Sequence, residues 1–200
     1  MLVSGLMGLL GSLVYGSFLE WFVHKIVMHT TTLSQLAFDR HAVDHHTTRR
    51  SLKSFYAQPE ENYVYHLGES SVIPLLWLVH LPLYLAVGKV GGVAAGIAAG
   101  VGGMLYLIGY EFIHFFVHAP RNYLFQRTRL FRFYCEYHRV HHGRARVNYN
   151  VVMPLADLVL RTQSFEPLRE EPSLLPEMAP DTGPLSVFRR PRRAESVEIR

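Results

Sequence analysis

The sequence predicts an all-α fold: an integral membrane helical bundle of about three to four spans with a cytoplasmic, histidine-rich metal-binding cap. Three observations lead there. Three uncharged apolar runs each approach the ~20 residues that a helix needs to cross a bilayer. The basic residues fall almost wholly on one side of those runs, and the histidines cluster on that same side.

The first run, MLVSGLMGLLGSLVYGSFL (1–19), carries no charge. Its length resembles a signal peptide, but it lacks a basic leading region and a small-residue cleavage site, and Glu20 and His24 follow directly. It is therefore expected to stay as a span. The second run, SSVIPLLWLVHLPLYLAV (70–87), is interrupted only by His80, and the third, VGGVAAGIAAGVGGMLYLIGY (90–110), is again uncharged. Runs two and three form a predicted hairpin turning at GKVGG (88–92), which holds Lys89. Every other Lys and Arg then lies on the opposite side, and the positive-inside rule assigns that side to the cytoplasm. No nucleic acid is expected among the partners, because the mild excess of 20 Lys and Arg over 16 Asp and Glu follows this topology.

Residues 1–165 read as the membrane-embedded domain. The tail, 166–200, is rich in proline and in charges of both signs, and is expected to be disordered. Its FRRPRR stretch (188–193) reads as part of a solvated charged tail. The single cysteine, Cys135, excludes an internal disulfide and reads as a small apolar filler.

Ten of the 12 histidines fall into four groups: HKIVMH (His24, His29), HAVDHH (His41, His45, His46), HFFVH (His114, His118) and HRVHH (His138, His141, His142). At ~100° per residue, helical positions i, i+3 and i+4 share a face. His138, His141 and His142 are thus expected to point together, as are His114 with His118 and His41 with His45. His24 and His29, five apart, diverge by about 140° on a regular helix and can meet one site only through a helix end or a distortion. His46 poses the same difficulty relative to His41, which two metal centres would ease. Ten imidazoles exceed what one ion can use and fit two ions, whether iron, zinc, copper or nickel. Left uncoordinated, such neighbours would repel when protonated and cost desolvation when neutral.

The third span carries a geometric argument of its own. Gly92, Gly96 and Gly100 lie on one stripe with Glu111, His114 and His118, so the stripe should face a neighbouring helix. Glu20 and Glu111, the two acids embedded in apolar surroundings, are expected to accept the free N–H of a metal-bound histidine. His80 is given a hydrogen bond within the membrane, and His66 a surface place.

Taken in order, the four boxes resemble those of the fatty acid hydroxylase and sterol desaturase superfamily of membrane di-iron oxygenases. The NYNVVMPLADLVLRT segment (148–162) is also similar to the stretch after the last box there, so the likeness covers roughly residues 20–162. EWFVHKIVMH also resembles carotenoid hydroxylases, while HFFVH favours the fatty acid hydroxylase side. The resemblance implies that the ten boxed histidines ligate two Fe ions, with zinc conceivable in isolated protein. It implies O2-dependent hydroxylation or desaturation of a lipid: a fatty acyl or sphingolipid chain first, a carotenoid or sterol second. Asn148 and Tyr149 would shape the site near the last box. Fatty acid 2-hydroxylases of eukaryotes carry a fused cytochrome b5 domain, and no heme-binding segment is expected here. Electrons are therefore expected from a separate ferredoxin or cytochrome b5 docking on the basic RNYLFQRTRLFR stretch (121–132). The competing class, a non-catalytic metal-binding membrane scaffold or a metal transporter, would keep the boxes without consuming oxygen. A transporter should also line its spans with ionisable residues, and these spans offer only His80.

Overall fold

The computed structural model describes residues 1–50, 55–57, 72–121, 123–166 and 168, and among them every regular element is helical. Apart from residues 166 and 168, the predicted disordered tail lies outside the described residues, as does His66. Helix α1 (Leu2–Phe22) runs on without a break into a π-helical turn, Val23–Met28. Ser34 caps a short α2 (Gln35–Phe38), its Oγ accepting from Ala37 N at 3.2 Å. A second π-helical stretch, Asp39–His45, and α3 (His46–Thr48) follow. Further along lie α4 (Val72–Val79), α5 (Leu81–Gly91) and the long α6 (Val93–His118), with Gly92 at φ +88° making the α5–α6 turn. A 3-10 turn (Leu124–Arg127) leads into α7 (Arg129–Gly143), whose N-cap is Thr128, and α8 (Leu155–Val159) closes the described chain.

Among the described residues, two helices are long and apolar enough to cross a membrane: Leu2–Met28 and Val93–His118. Only 22% and 28% of the positions in their apolar windows are buried against protein. Core helices of a soluble protein would be enclosed on most sides, whereas here Leu6, Leu10, Ile97, Val101 and Leu105 project outward, as lipid contact requires. Over its described residues, the run predicted at 70–87 is not one unbroken helix. It breaks at His80, and neither α4 nor α5 alone reaches the ~20 residues of a span. Pro82, in the first turn of α5, has no N–H to continue a helix from α4.

Helices α1 and α6 lie close because small residues face each other. A Cβ on Gly8 would come 2.2 Å from the Ala95 carbonyl oxygen, and one on Gly102 would come 2.0 Å from Ser12 Oγ. The other face of α6 meets α5 and α4: Gly96 abuts Gly88, and Gly100 packs under Trp77 and Tyr84. The predicted stripe therefore does face a neighbour, and that neighbour is the α4–α5 pair. Gly102→Leu should lower unfolding stability in mild detergent by about 1–3 kcal/mol through overpacking. Gly11→Ala, where an added Cβ meets nothing within 4 Å, should leave it unchanged or raise it.

Candidate metal centre

The π-helical turns settle how histidines five apart can meet. An i→i+5 hydrogen-bond pattern stacks every fifth residue along the axis instead of every fourth. His24 begins this register and His29 closes it, so both rings turn to one side, with centroids 5.1 Å apart. The second π-helical stretch does the same for His41 and His46. Here the structure differs from the regular-helix expectation: His41 converges with His46, and His45 turns away from both. His141 likewise parts from His142, because neighbours on a helix diverge by ~100°, and His138 goes with His142, one turn away.

The outcome is two groups of five. His24, His29, His41, His46 and His141 form one; His45, His114, His118, His138 and His142 form the other. Within each group the candidate ligand nitrogens all lie within 4.8 Å of one another. Each adjacent pair, His45–His46 and His141–His142, gives one ring to each group. The groups abut, and His46 stacks on His142 with ring centroids 4.2 Å apart.

The nitrogen spacings fit ion coordination. His24 Nε2 stands 2.8 Å from His41 Nε2, and His29 Nε2 stands 3.1 Å from His141 Nε2. His138 Nε2 lies 3.1 Å from His118 Nε2 and 3.0 Å from His142 Nε2. Two nitrogens bound at right angles, each ~2.1 Å from one ion, stand ~3.0 Å apart. Burial strips the rings of water and disfavours their charged forms. It pulls His29 down to about 4 and, with neighbouring imidazoles adding to it, His46 to about 2. His41, His138, His141 and His142 are held well below the ordinary range for the same reasons. Burial thus favours the neutral form of these six rings, the form that binds a metal. The buried His46 Nε2 finds no hydrogen-bond partner among the described residues, which an ion would supply.

Three of these rings hydrogen-bond to backbone carbonyls. His24 Nδ1 donates to Tyr149 O, His141 Nδ1 to Val147 O at 2.7 Å, and His118 Nδ1 to Phe55 O at 2.9 Å. Each bond places the proton on Nδ1 and frees Nε2 for the centre. Glu20 has other partners: Tyr106 Oη at 2.7 Å, Asn150 Nδ2 at 3.0 Å, and the backbone N–H groups of Val151 and Val152. It ties α1 to the segment after the last box and acts on the rings through that segment. Glu111 Oε1 is buried and touches no hydrogen-bonding group among the described residues. Asn148 lies in the segment that follows the last box. At φ +58° it turns the chain sharply, and its amide bridges Tyr137 O (3.0 Å) and Ser164 O (2.9 Å).

Asp157 is the residue that sequence reasoning missed. Fully buried, its carboxylate accepts from Tyr149 N (3.1 Å), Asn150 N (2.7 Å), Tyr137 Oη (2.9 Å) and Thr162 Oγ1 (2.6 Å). It therefore fixes the peptide whose carbonyl orients His24. Its only trace in the sequence is its place, nine residues after Asn148 in an otherwise apolar stretch. On the far side, Phe55 packs on His118 and His142 at 4.6 and 5.3 Å and excludes water from the second group. From His24 an apolar cavity of about 110 Å³ runs among α1, α6 and the α4–α5 pair.

Residues 9–162 match the model of a protein family described as Fatty acid hydroxylase. No curated protein and no solved structure matches the chain.

Replacing Asp157 by alanine strands several buried donors at once. Asp157→Ala should cost about 3 kcal/mol or more of unfolding stability. It should also lower metal retention, measured by thermal unfolding and elemental analysis of the purified variant.

Proposed function

Because this chain belongs to the fatty acid hydroxylase family, we propose that it is a membrane-embedded di-iron oxygenase that hydroxylates a C–H bond of a lipid, a fatty acyl or sphingolipid chain. The observation that carries the reading is the meeting of two abutting five-imidazole groups with an apolar cavity that begins at His24. Five nitrogen donors per group exceed the four of a closed zinc site and favour an ion that takes more ligands and keeps a position open, as iron does. The ten histidines would hold the pair. Bound there, the irons would supply the activation of dioxygen and the insertion of one oxygen atom.

The chain's own residues do the rest. Tyr149, Val147 and Phe55 carbonyls aim three of the rings, and neutral imidazoles leave the lone pairs free. Leu19, Val23, Met28 and Leu107 line the cavity and offer a hydrocarbon no hydrogen bond, so only its shape orients it. The narrow volume suits a slender chain better than a fused-ring sterol. The balance is R–H + O2 + two electrons + two protons giving R–OH and water, with the electrons coming from a separate ferredoxin or cytochrome b5. Arg121, Arg127 and Arg129, exposed beside the histidine end, form the docking face on the cytoplasmic side.

The test uses heavy-isotope dioxygen, a reductant and a lipid extract. One labelled oxygen should appear in a hydroxylated chain. An unlabelled alkene would make the reaction a desaturation, and no lipid change with full metal would refute an oxygenase. Arg129→Glu with Arg132→Glu should slow reduction by an acidic donor protein severalfold at unchanged metal content. The effect should fade at high salt, as stopped-flow kinetics would read.

A further inference from the structure

Two apolar cavities flank α6, and a single side chain lines both. The inner one, about 110 Å³, lies among α1, α6 and the α4–α5 pair and reaches from His24 to Ser12, Gly103 and Tyr84. The outer one, about 800 Å³, is a groove between α5 and α6 whose walls include Leu85, Ile97, Val101 and Leu105, all exposed on the face that meets lipid. Among the described residues, Tyr84 alone belongs to both.

Its ring is 8% exposed and sits where α6 carries glycine twice. A Cβ on Gly103 would come 2.2 Å from Tyr84 Oη, and one on Gly100 would touch the ring at 3.6 Å. Any side chain at Gly103 would push the ring out of place, so the backbone of α6 is shaped to hold a full tyrosine as a partition. Along α1, the distance from His24 to Ser12 is about 18 Å at 1.5 Å per residue.

We infer that Tyr84 is the floor of the acyl site and sets the longest chain that the inner cavity accepts, with the outer groove standing as unused space behind its ring. The inference rests on the acyl-chain reading above. An acyl tail that presents a carbon to the metal end extends down the cavity until its terminal methyl meets the ring. Beyond that length, added methylenes have no apolar space to enter. Removing the ring joins the inner cavity to the groove, and the tail passes through.

The experiment is thermal unfolding of the metal-loaded full chain in mild detergent, without reductant, against saturated fatty acids lengthened two carbons at a time. In the wild type each added methylene should tighten binding about fourfold up to a ceiling, after which the gain stops. Tyr84→Ala should move that ceiling up by several methylenes. Tyr84→Leu, which keeps more of the packing, should move it less in the same direction and carries the test should the alanine variant not fold. Leu85→Ala, which alters the outer groove alone, should leave the ceiling where it was. Unshifted ceilings in folded Tyr84→Ala and Tyr84→Leu, or an equal shift in Leu85→Ala, would overturn the role of Tyr84 while leaving the acyl substrate standing. Failure of every chain length to stabilise the wild type would remove the acyl reading and the floor with it.

Discussion

Bringing ten imidazole rings out of water and turning their lone pairs toward one another is unfavourable unless cations sit between them. Neutral rings with nitrogens near 3 Å apart repel through those lone pairs, and protonated rings would repel more strongly still. Only one ring in such a pair can donate a proton to the other. Cations at the two foci would turn the same arrangement from a cost into a favourable interaction. The π-helical register, the carbonyl acceptors and the aromatic seal are all arranged around that requirement.

The segment 148–162 answers it from a distance in sequence. Glu20 on α1 and Asp157 on α8 grip its backbone from two sides: Glu20 takes the N–H groups of Val151 and Val152, and Asp157 those of Tyr149 and Asn150. Buried carboxylates satisfied by so many donors rigidify what they hold. The carbonyls of Val147 and Tyr149 can then aim His141 and His24 without side-chain acceptors. The acids lie one layer further from the rings than a direct carboxylate–histidine contact would place them.

Much of this was legible in the sequence, and the limits have physical causes. Ordered boxes at the ends of apolar runs gave away both the helical membrane architecture and the ten histidines that converge, since i, i+4 spacing in HFFVH and HRVHH already fixes a face. The five-residue spacing in HKIVMH pointed to a distortion, and the π-helical turn is that distortion. The pairing of His41 with His46 was hidden, because it depends on a hydrogen-bond register that α-helical geometry does not anticipate. The break at His80 was hidden by the unbroken hydropathy of 70–87, although Pro82 marks it. Asp157 was invisible because its importance comes only from the fold returning 148–162 onto α1.

The most direct test of the account is metal content per chain in the wild type, His141→Ala, His142→Ala and the double variant, by elemental analysis in mild detergent. Two centres, each taking one ring of the adjacent pair, predict close to two irons in the wild type. Each single variant should lose about one, and the double variant nearly both. A wild type holding one ion or none would contradict the dinuclear account. Single variants that both kept the full complement would contradict the division of His141 and His142 between two centres.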